Sequence, residues 1–148
     1  MERPDWDVRL AANFWLSEFQ CKCGECAFGR NPKDVSLLLV DGVQLMRDFL
    51  GVPIYIVHRL PDVGSRGGDR FYTAGSGCRC QDHNRRVGGS KRSQHLKGRA
   101  ADCWGPPVED LYQAALRVPQ FVNGGIGRYD RGQFVHVDVR GYTARWKG

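Results

Sequence analysis

Residues 133–140, "QFVHVDVR", alternate apolar and polar side chains as a half-buried β-strand does. Successive side chains of a strand point to opposite faces, so the three valines share one face, and Phe134, His136 and Asp138 share the other. A row of valines suits a sheet that packs on helices. Burying a histidine and an aspartate costs free energy unless they are paired or bound to a metal. The stretch therefore predicts a strand with a core face and a functional face.

Residues 90–104, "SKRSQHLKGRAADCW", supply partners for that functional face. The small residues of "GRAADCW" predict a strand in which Asp102 and Cys103 lie on opposite faces. If the two strands are neighbours, Asp102 meets His136, and His95 arrives from the preceding loop. Two imidazoles and one carboxylate leave the fourth position of a zinc ion open to water, which is typical of catalytic sites. The alternative for each residue is an ordinary hydrogen-bonded polar side chain.

The rest of the chain predicts the helices and strands of a single domain, residues 1–148, whose first 30 residues contain a cysteine loop. Apolar residues at helical spacing predict a helix over residues 35–50, which Gly51 ends. The other predicted elements are a capped segment at 13–19, a buried strand at 53–58, a surface loop at 61–70, strands at 71–74 and 124–129, and helices at 81–87 and 108–118.

The composition limits the classes of function. A chain of 148 residues with 41% hydrophobic residues can bury a core, which argues against disorder. The apolar run "VSLLLV" is interrupted by Asp41 before it reaches the length of a membrane span, and the N-terminus lacks the pattern of a secretory signal. A net charge of +6 favours an anionic partner. The arginines are scattered and form no basic helix, so nucleic acid is disfavoured as that partner.

Six cysteines form two clusters and one isolated residue. The first cluster, "CKCGEC", spans residues 21–26, the second, "CRC", spans residues 78–80, and Cys103 is alone. Neighbours in a Cys-x-Cys pair bridge each other poorly, so disulfides would run between the clusters. A structural zinc site and unpaired thiols are the alternatives. The lack of a secretory signal favours thiols or a metal over disulfides, but the spacing alone does not decide.

The segment "SQHLKGRAAD", residues 93–102, resembles the Ser-x-His-x6-Asp motif of the M15 zinc peptidases, the group of D-alanyl-D-alanine carboxypeptidases and murein endopeptidases. "FVHVDVR" resembles the segment that holds that family's second histidine, and "GGIGRY" resembles the strand before it. "NFWLSEFQCKCG" and "GCRCQDHNRRVGG" are similar to segments of the branch found in phages and bacterial genomes. The resemblance implies an α+β fold with a central, mostly antiparallel sheet and flanking helices, like the D,D-peptidase and hedgehog N-terminal domains. It also implies Zn²⁺ on His95, Asp102 and His136.

The resemblance suggests roles for neighbouring residues as well. Arg79 lies where relatives carry an arginine that could bind a substrate carboxylate or the oxyanion of the tetrahedral intermediate. An ordinary surface arginine is the alternative for this position. Ser93 lies where the family often uses a hydroxyl to touch substrate. His83 is interpreted as structural, through a bond to a loop backbone.

One position departs from the family pattern. Many M15 enzymes carry a glutamate or aspartate three residues before the second histidine as the general base, and this chain has Gln133 there. Asp138, on the same strand face as His136, is the preferred replacement, although it could instead orient a metal ligand. Asp130, in the turn before the strand, is the other candidate for the base.

These residues predict a zinc peptidase that cleaves a bond in peptidoglycan stem peptides or cross-links containing D-amino acids. We expect a monomer, made in the cytoplasm, that acts on the bacterial cell wall after release, as a phage or prophage lysis enzyme or a virion component. No nucleic-acid partner and no membrane insertion are expected. The alternative is a non-catalytic zinc-containing binding module on the same fold, which Gln133 keeps open. The bond that is cut and the role of residues 61–74 do not follow from the sequence.

Overall fold

A computed structural model of the chain describes residues 3–56 and 77–148. Its strands are β1 (Arg9–Ala11), β2 (Phe14–Trp15), β3 (Ala100–Cys103), β4 (Gly125–Tyr129), β5 (Phe134–Asp138) and β6 (Ala144–Lys147). Its α-helices are α1 (Leu16–Phe19), α2 (Leu37–Leu50), α3 (Gln81–Arg86), α4 (Val108–Ala115) and α5 (Pro119–Val122). Short 3₁₀ turns occupy Pro32–Asp34 and Gln94–Lys97. The fold is α+β, as predicted.

The main sheet has four strands in the order β3-β5-β4-β6. Its pairs are antiparallel except for β4 and β6, which are parallel. In the register of β3 and β5, Ala101 lies opposite Val137, and Asp102 lies opposite His136. The first pair is buried in the hydrophobic core, so the second pair lies on the other side, which we call the site face.

Strand β4 makes room on the site face because its residues there are glycines. Gly125 pairs with Asp138, and Gly127 pairs with both His136 and Trp146. A Cβ atom at Gly125 would lie 2.2 Å from Oδ2 of Asp138, and one at Gly127 would lie 2.4 Å from the Trp146 ring. The two glycines therefore allow the Asp138 and Trp146 side chains to lie over the middle of the sheet.

Helix α2 packs against α4 and α5, which in turn contact β4 and β5 of the main sheet. It begins after Ser36, whose Oγ accepts a hydrogen bond from the backbone N–H of Leu39. It ends at Gly51, which adopts the left-handed conformation with φ of 68°. Leu39 and Met46, on its buried side, are fully enclosed in the core, so the predicted helix is confirmed with its predicted apolar face.

The structure contains most, but not all, of the other predicted helices and strands within the described residues. Helix α3 and strands β3, β4 and β5 are confirmed. The helix predicted at 108–118 is confirmed as α4, which ends at Ala115, and α5 follows beyond the predicted range. The strand predicted at 53–58 is reduced, within its described part, to one bridge in which Tyr55 and Trp104 exchange backbone hydrogen bonds of 2.8 Å. Strands β1, β2 and β6 were not predicted, and the segment predicted at 13–19 consists of β2 and α1. Residues 57 and 58, the 61–70 loop and the 71–74 strand lie outside the described residues.

The helices of residues 3–56 and 77–148 are too short or too polar to cross a membrane.

Candidate metal centre and cleft

Three side chains converge on the site face, those of His95, Asp102 and His136. Strand pairing places Asp102 directly opposite His136. His95 comes from the 3₁₀ turn that precedes β3, and it is 2% exposed. We call three candidate metal-binding atoms of these residues, His95 Nε2, Asp102 Oδ1 and His136 Nδ1, the donor triangle.

The turn that carries His95 is fixed at both ends. At its start, Ser93 Oγ accepts a hydrogen bond of 3.2 Å from the backbone N–H of His95. At its end, Gly98 adopts φ of 64° and passes so close to Asp34 that a Cβ atom would lie 1.7 Å from the Asp34 carbonyl oxygen. A side chain would therefore not fit at residue 98, and the sequence "HLKG" turns back sharply into β3.

The distances within the donor triangle fit a tetrahedral metal site. His95 Nε2 lies 3.2 Å from His136 Nδ1 and 3.3 Å from Asp102 Oδ1, and the last two atoms are 3.2 Å apart. Zinc binds nitrogen and oxygen donors at about 2.0–2.2 Å, so the edge of a tetrahedron around it is about 3.3–3.6 Å. The three donors can therefore occupy three corners around zinc, with one corner left for a further ligand.

Hydrogen bonds on the outer nitrogens set the tautomers of both histidines. His95 Nδ1 donates to the carbonyl oxygen of Gly77 at 2.7 Å, because a carbonyl can only accept. His136 Nε2 likewise donates to Asp138 Oδ2 at 2.7 Å. The lone pairs of His95 Nε2 and His136 Nδ1 therefore face Asp102. Metal-binding histidines are held in this way by carbonyl or carboxylate partners.

The buried site shifts the pKa values of its three residues in different directions. Burial lowers the pKa of His95, so its imidazole stays neutral. Burial also works against charge on His136, but the carboxylates of Asp102 and Asp138 outweigh it and raise the pKa of His136, so a metal would have to displace a proton from this ring. Burial alone would raise the pKa of Asp102, yet His95 and His136 hold it well below its usual range. Asp102 is therefore ionised, as a metal ligand must be.

The donor triangle lies in the wall of a cleft of about 1090 Å³. One part of the wall is aromatic, since Phe134 stacks on Tyr129 with ring centroids 4.4 Å apart and contacts Trp104 at the same separation. The Trp146 ring lies 5.0 Å from that of His136. Much of the remaining wall is basic, formed by Arg79, Lys91, Arg92, Lys97, Arg99 and Arg140. A cleft of this charge favours an anionic ligand.

Arg79 contacts the Asp102 carboxylate from outside the donor triangle. Its Nη2 donates to Asp102 Oδ2 at 3.4 Å, and its Nη1 donates to Asn84 Oδ1 at 3.1 Å. Asp102 thus presents one oxygen to the histidines and the other to the guanidinium. Ser93, which caps the His95 turn, also lines the cleft. The predicted substrate-binding residues therefore lie beside the donor triangle.

Asp138 lies behind His136, on the ring nitrogen that points away from the donor triangle. Its Oδ1 accepts from the Gly125 N–H at 2.9 Å and from Nε of Arg140 at 2.8 Å, and Arg140 Nη2 reaches its Oδ2 at 2.7 Å. Burial would raise the pKa of Asp138, but Arg140 and His136 hold it well below its usual range. The carboxylate is fully buried and already accepts several hydrogen bonds. This geometry favours the orienting role over the role of general base that the sequence favoured.

Asp130, the other candidate base, is exposed and accepts a hydrogen bond of 2.8 Å from Arg128 Nε. It lies with Gln133 in a neighbouring cleft of about 1170 Å³, which shares Trp104 with the first. Within the described part of the chain, Asp102 is the only acidic residue that lines the cleft of the donor triangle.

His83 differs from its interpretation in one contact. Its Nδ1 lies 3.5 Å from the thiol sulfur of Cys21, where a bond to a loop backbone was expected. Its burial agrees with a structural role.

Residues 68–138 match the family model described as Peptidase M15. The match supports an M15 family peptidase. The matched segment contains Arg79 and the three residues of the donor triangle. M15 peptidases are metalloenzymes, and His95, Asp102 and His136 form one of the two groups of candidate metal ligands in the described residues. No curated protein matches the chain.

Two residues around the donor triangle had no predicted role. Arg140 belongs to the motif "FVHVDVR", and its position directly after the strand was the available signal. It forms the ion pair that holds Asp138. Trp146 comes from β6, and its neighbours in "ARWK" gave no sign that it would contact His136.

Proposed function

We propose that this chain is a zinc-dependent peptidase that cleaves peptides of bacterial peptidoglycan. The donor triangle carries the proposal, because two buried imidazoles and an ionised carboxylate at 3.2–3.3 Å from one another suit a catalytic zinc ion with one open position. The family match supports the same class of reaction. Structural zinc sites instead use four protein donors.

Zinc bound by His95, Asp102 and His136 would polarise a peptide carbonyl and lower the pKa of a water molecule for attack on it. Asp138 Oδ2 accepts a hydrogen bond from the Nε2–H of His136 and so keeps Nδ1 available as a ligand. Arg79 donates a hydrogen bond to Oδ2 of Asp102 and so fixes the position of that carboxylate. Because Arg79 also lines the cleft, its guanidinium can bind a substrate carboxylate or the developing oxyanion.

The cleft supports a peptide substrate that carries carboxylates. Its basic wall attracts negative charge, and stem peptides of peptidoglycan are anionic. The stacked rings of Phe134 and Tyr129 provide a flat apolar surface against which an aliphatic part of the substrate can pack. We therefore propose that the protein degrades the bacterial cell wall, either after release from the cell that makes it or as part of a virion.

Digestion of purified peptidoglycan tests the proposal. The zinc-loaded protein is incubated with the polymer, and the released fragments are identified by mass spectrometry. We expect fragments from cleavage of a peptide bond, which disappear with a chelator or in the His95→Ala/Asp102→Ala variant. Intact stem peptides and cross-links after incubation with the zinc-loaded wild type would contradict the proposal.

A non-catalytic binding module is the second candidate, and a specific observation favours it. Among the residues that the structure describes, Asp102 is the only acid lining the cleft, and Asp138 is buried behind His136. A cleft without a proton acceptor would bind a wall peptide and leave it intact. The same digestion distinguishes the two, since a binding module retains the polymer in a pull-down and releases no fragments.

A further inference from the structure

Four cysteines form a second cluster of candidate metal ligands, away from the donor triangle. Three of them, Cys21, Cys23 and Cys26, lie in the N-terminal loop, and Cys80 directly precedes α3. Their sulfur atoms all lie within 4.8 Å of one another, and those of Cys23 and Cys26 are 3.4 Å apart. We call these residues the cysteine quartet, and we propose that it binds a structural Zn²⁺ ion.

The spacing of the quartet suits one metal ion. Zinc binds thiolates at about 2.3 Å, so the sulfurs at the corners of a tetrahedron around it are about 3.8 Å apart. All cysteines of the chain are free in the structure, and 3.4 Å between Cys23 and Cys26 is well beyond the roughly 2.05 Å of a disulfide. Four protein donors fill the coordination sphere of zinc and leave no position for substrate, which makes the site structural.

Backbone N–H groups point at three of the four sulfurs. Cys80 N–H donates to Cys21 Sγ at 3.3 Å, Glu25 N–H donates to Cys23 Sγ at 3.3 Å, and His83 N–H donates to Cys80 Sγ at 3.4 Å. Such donors stabilise the negative charge of a thiolate, which is the form that binds metal.

The turn between the first cysteines is built for this convergence. Gly24 adopts φ of 78°, a left-handed conformation that reverses the chain within the sequence "CKCGEC". Cys21 N–H then bonds the carbonyl of Phe28 at 2.9 Å, which closes the loop. A cysteine that only fills space packs as a small apolar residue, so packing alone does not require the four sulfur atoms to converge.

The metal would connect two distant segments of the chain at a functional position. Cys80 directly follows Arg79, whose backbone N–H bonds the His95 carbonyl at 3.0 Å. Cys78, on the other side of Arg79, bonds the carbonyl of Phe19 through its N–H at 2.7 Å. Zinc in the quartet therefore fixes the N-terminal loop against the strip of backbone that carries Arg79. Its binding free energy adds to the folding free energy, because an unfolded chain has no such site.

Zinc content and zinc X-ray absorption test the proposal on the full chain purified under reducing conditions. We expect two zinc ions per chain in the wild type and one in the His95→Ala/Asp102→Ala variant, whose remaining zinc has sulfur neighbours only. Cys26→Ser and Cys80→Ser should each lose one zinc ion. Cys78→Ala is the matched control, because Cys78 is equally close to Arg79 but outside the quartet, and it should keep both.

Three results would overturn the proposal. The first is a single zinc ion in the wild type that is absent from the His95→Ala/Asp102→Ala variant. The second is a disulfide between Cys23 and Cys26 in the freshly reduced protein. The third is iron in place of zinc in the quartet. If Cys80→Ser fails to fold, the absorption spectrum of the His95→Ala/Asp102→Ala variant still decides. The readout is independent of hydrolysis, so the quartet can hold zinc even if the proposed peptidase activity fails.

Discussion

The donor triangle and the cysteine quartet are two ways of arranging metal ligands in one small domain. The triangle has three nitrogen and oxygen donors in the wall of a cleft, whereas the quartet has four sulfur donors surrounded by backbone N–H groups. An incomplete ligand set leaves zinc a position for a reacting molecule, and a complete set does not. The number of protein donors therefore distinguishes a metal site that can take part in a reaction from one that only stabilises the fold.

The two groups also differ in how the fold builds them. The triangle depends on the register of β3 and β5, which places Asp102 opposite His136 on a rigid sheet. The quartet depends on loops and on the start of a short helix. Arg79 connects the two, since its side chain contacts Asp102 and its backbone lies beside Cys80. We therefore expect the quartet to affect hydrolysis only through the position of Arg79.

The largest effect is expected from removing a ligand of the triangle. His136→Ala should reduce peptidoglycan hydrolysis to the background rate, a greater loss than the roughly 10–100-fold that follows removal of an outer partner. Zinc in the quartet should remain, as sulfur-only X-ray absorption would show. Hydrolysis at the wild-type rate in this variant would remove the triangle from the mechanism.

The next effect distinguishes the two roles of Asp138. As the partner of His136, Asp138→Asn should weaken zinc binding at the triangle by about 10–100-fold, and excess zinc should restore the rate. As the general base, it should lower the rate by about 10²–10⁴-fold even with the site saturated. We expect the first result, measured as hydrolysis against free zinc concentration. Asp130→Asn is the control, and a complete loss of hydrolysis there would place the base in the turn.

A smaller effect is expected from Arg79→Lys. Lysine lacks the planar fork that reaches both Asp102 and Asn84, so turnover should fall while zinc remains bound. Arg85→Lys is the matched control, because Arg85 is a mostly exposed arginine of α3. Equal rates for the two variants and the wild type would reduce Arg79 to an ordinary structural residue.

The smallest effect concerns Trp146, whose Nε1 donates to the Tyr129 hydroxyl at 2.8 Å. Trp146→Phe should keep an aromatic ring near His136 and lower the free energy of unfolding by about 1 kcal/mol, the net value of one hydrogen bond. Tyr129→Phe removes the same bond, so chemical denaturation of the double variant should show a loss smaller than the sum of the two. A marked loss of hydrolysis in Trp146→Phe would instead make Trp146 a substrate-binding residue.

The sequence predicted the parts of the fold that have a strong local pattern. Alternation in "QFVHVDVR" placed His136 and Asp138 on one face, and helical spacing with Gly51 defined α2. Strand β6 was not predicted, because "ARWK" alternates apolar and polar side chains over only four residues and its parallel pairing with β4 leaves no local sign. The strand predicted over 53–58 was apolar enough, but in its described part only Tyr55 finds a partner.

The sequence predicted which site residues share a face of the sheet, but it could not predict the distances between their atoms. Alternation placed Asp138 beside His136, but it could not tell which imidazole nitrogen the carboxylate would meet or that Arg140 would neutralise it. The cysteines showed the same limit. Their spacing left disulfides, a metal and free thiols open, and only the tertiary fold brings Cys80 to the N-terminal loop.

The most direct test of the account is the rate of peptidoglycan hydrolysis as zinc is returned to the metal-free protein, with bound zinc counted per chain. We expect no hydrolysis while zinc fills only the cysteine quartet, and a rate that rises as the donor triangle fills. The His136→Ala variant should bind the first ion and stay inactive. Full hydrolysis with the triangle empty, or none with both sites filled, would contradict the account.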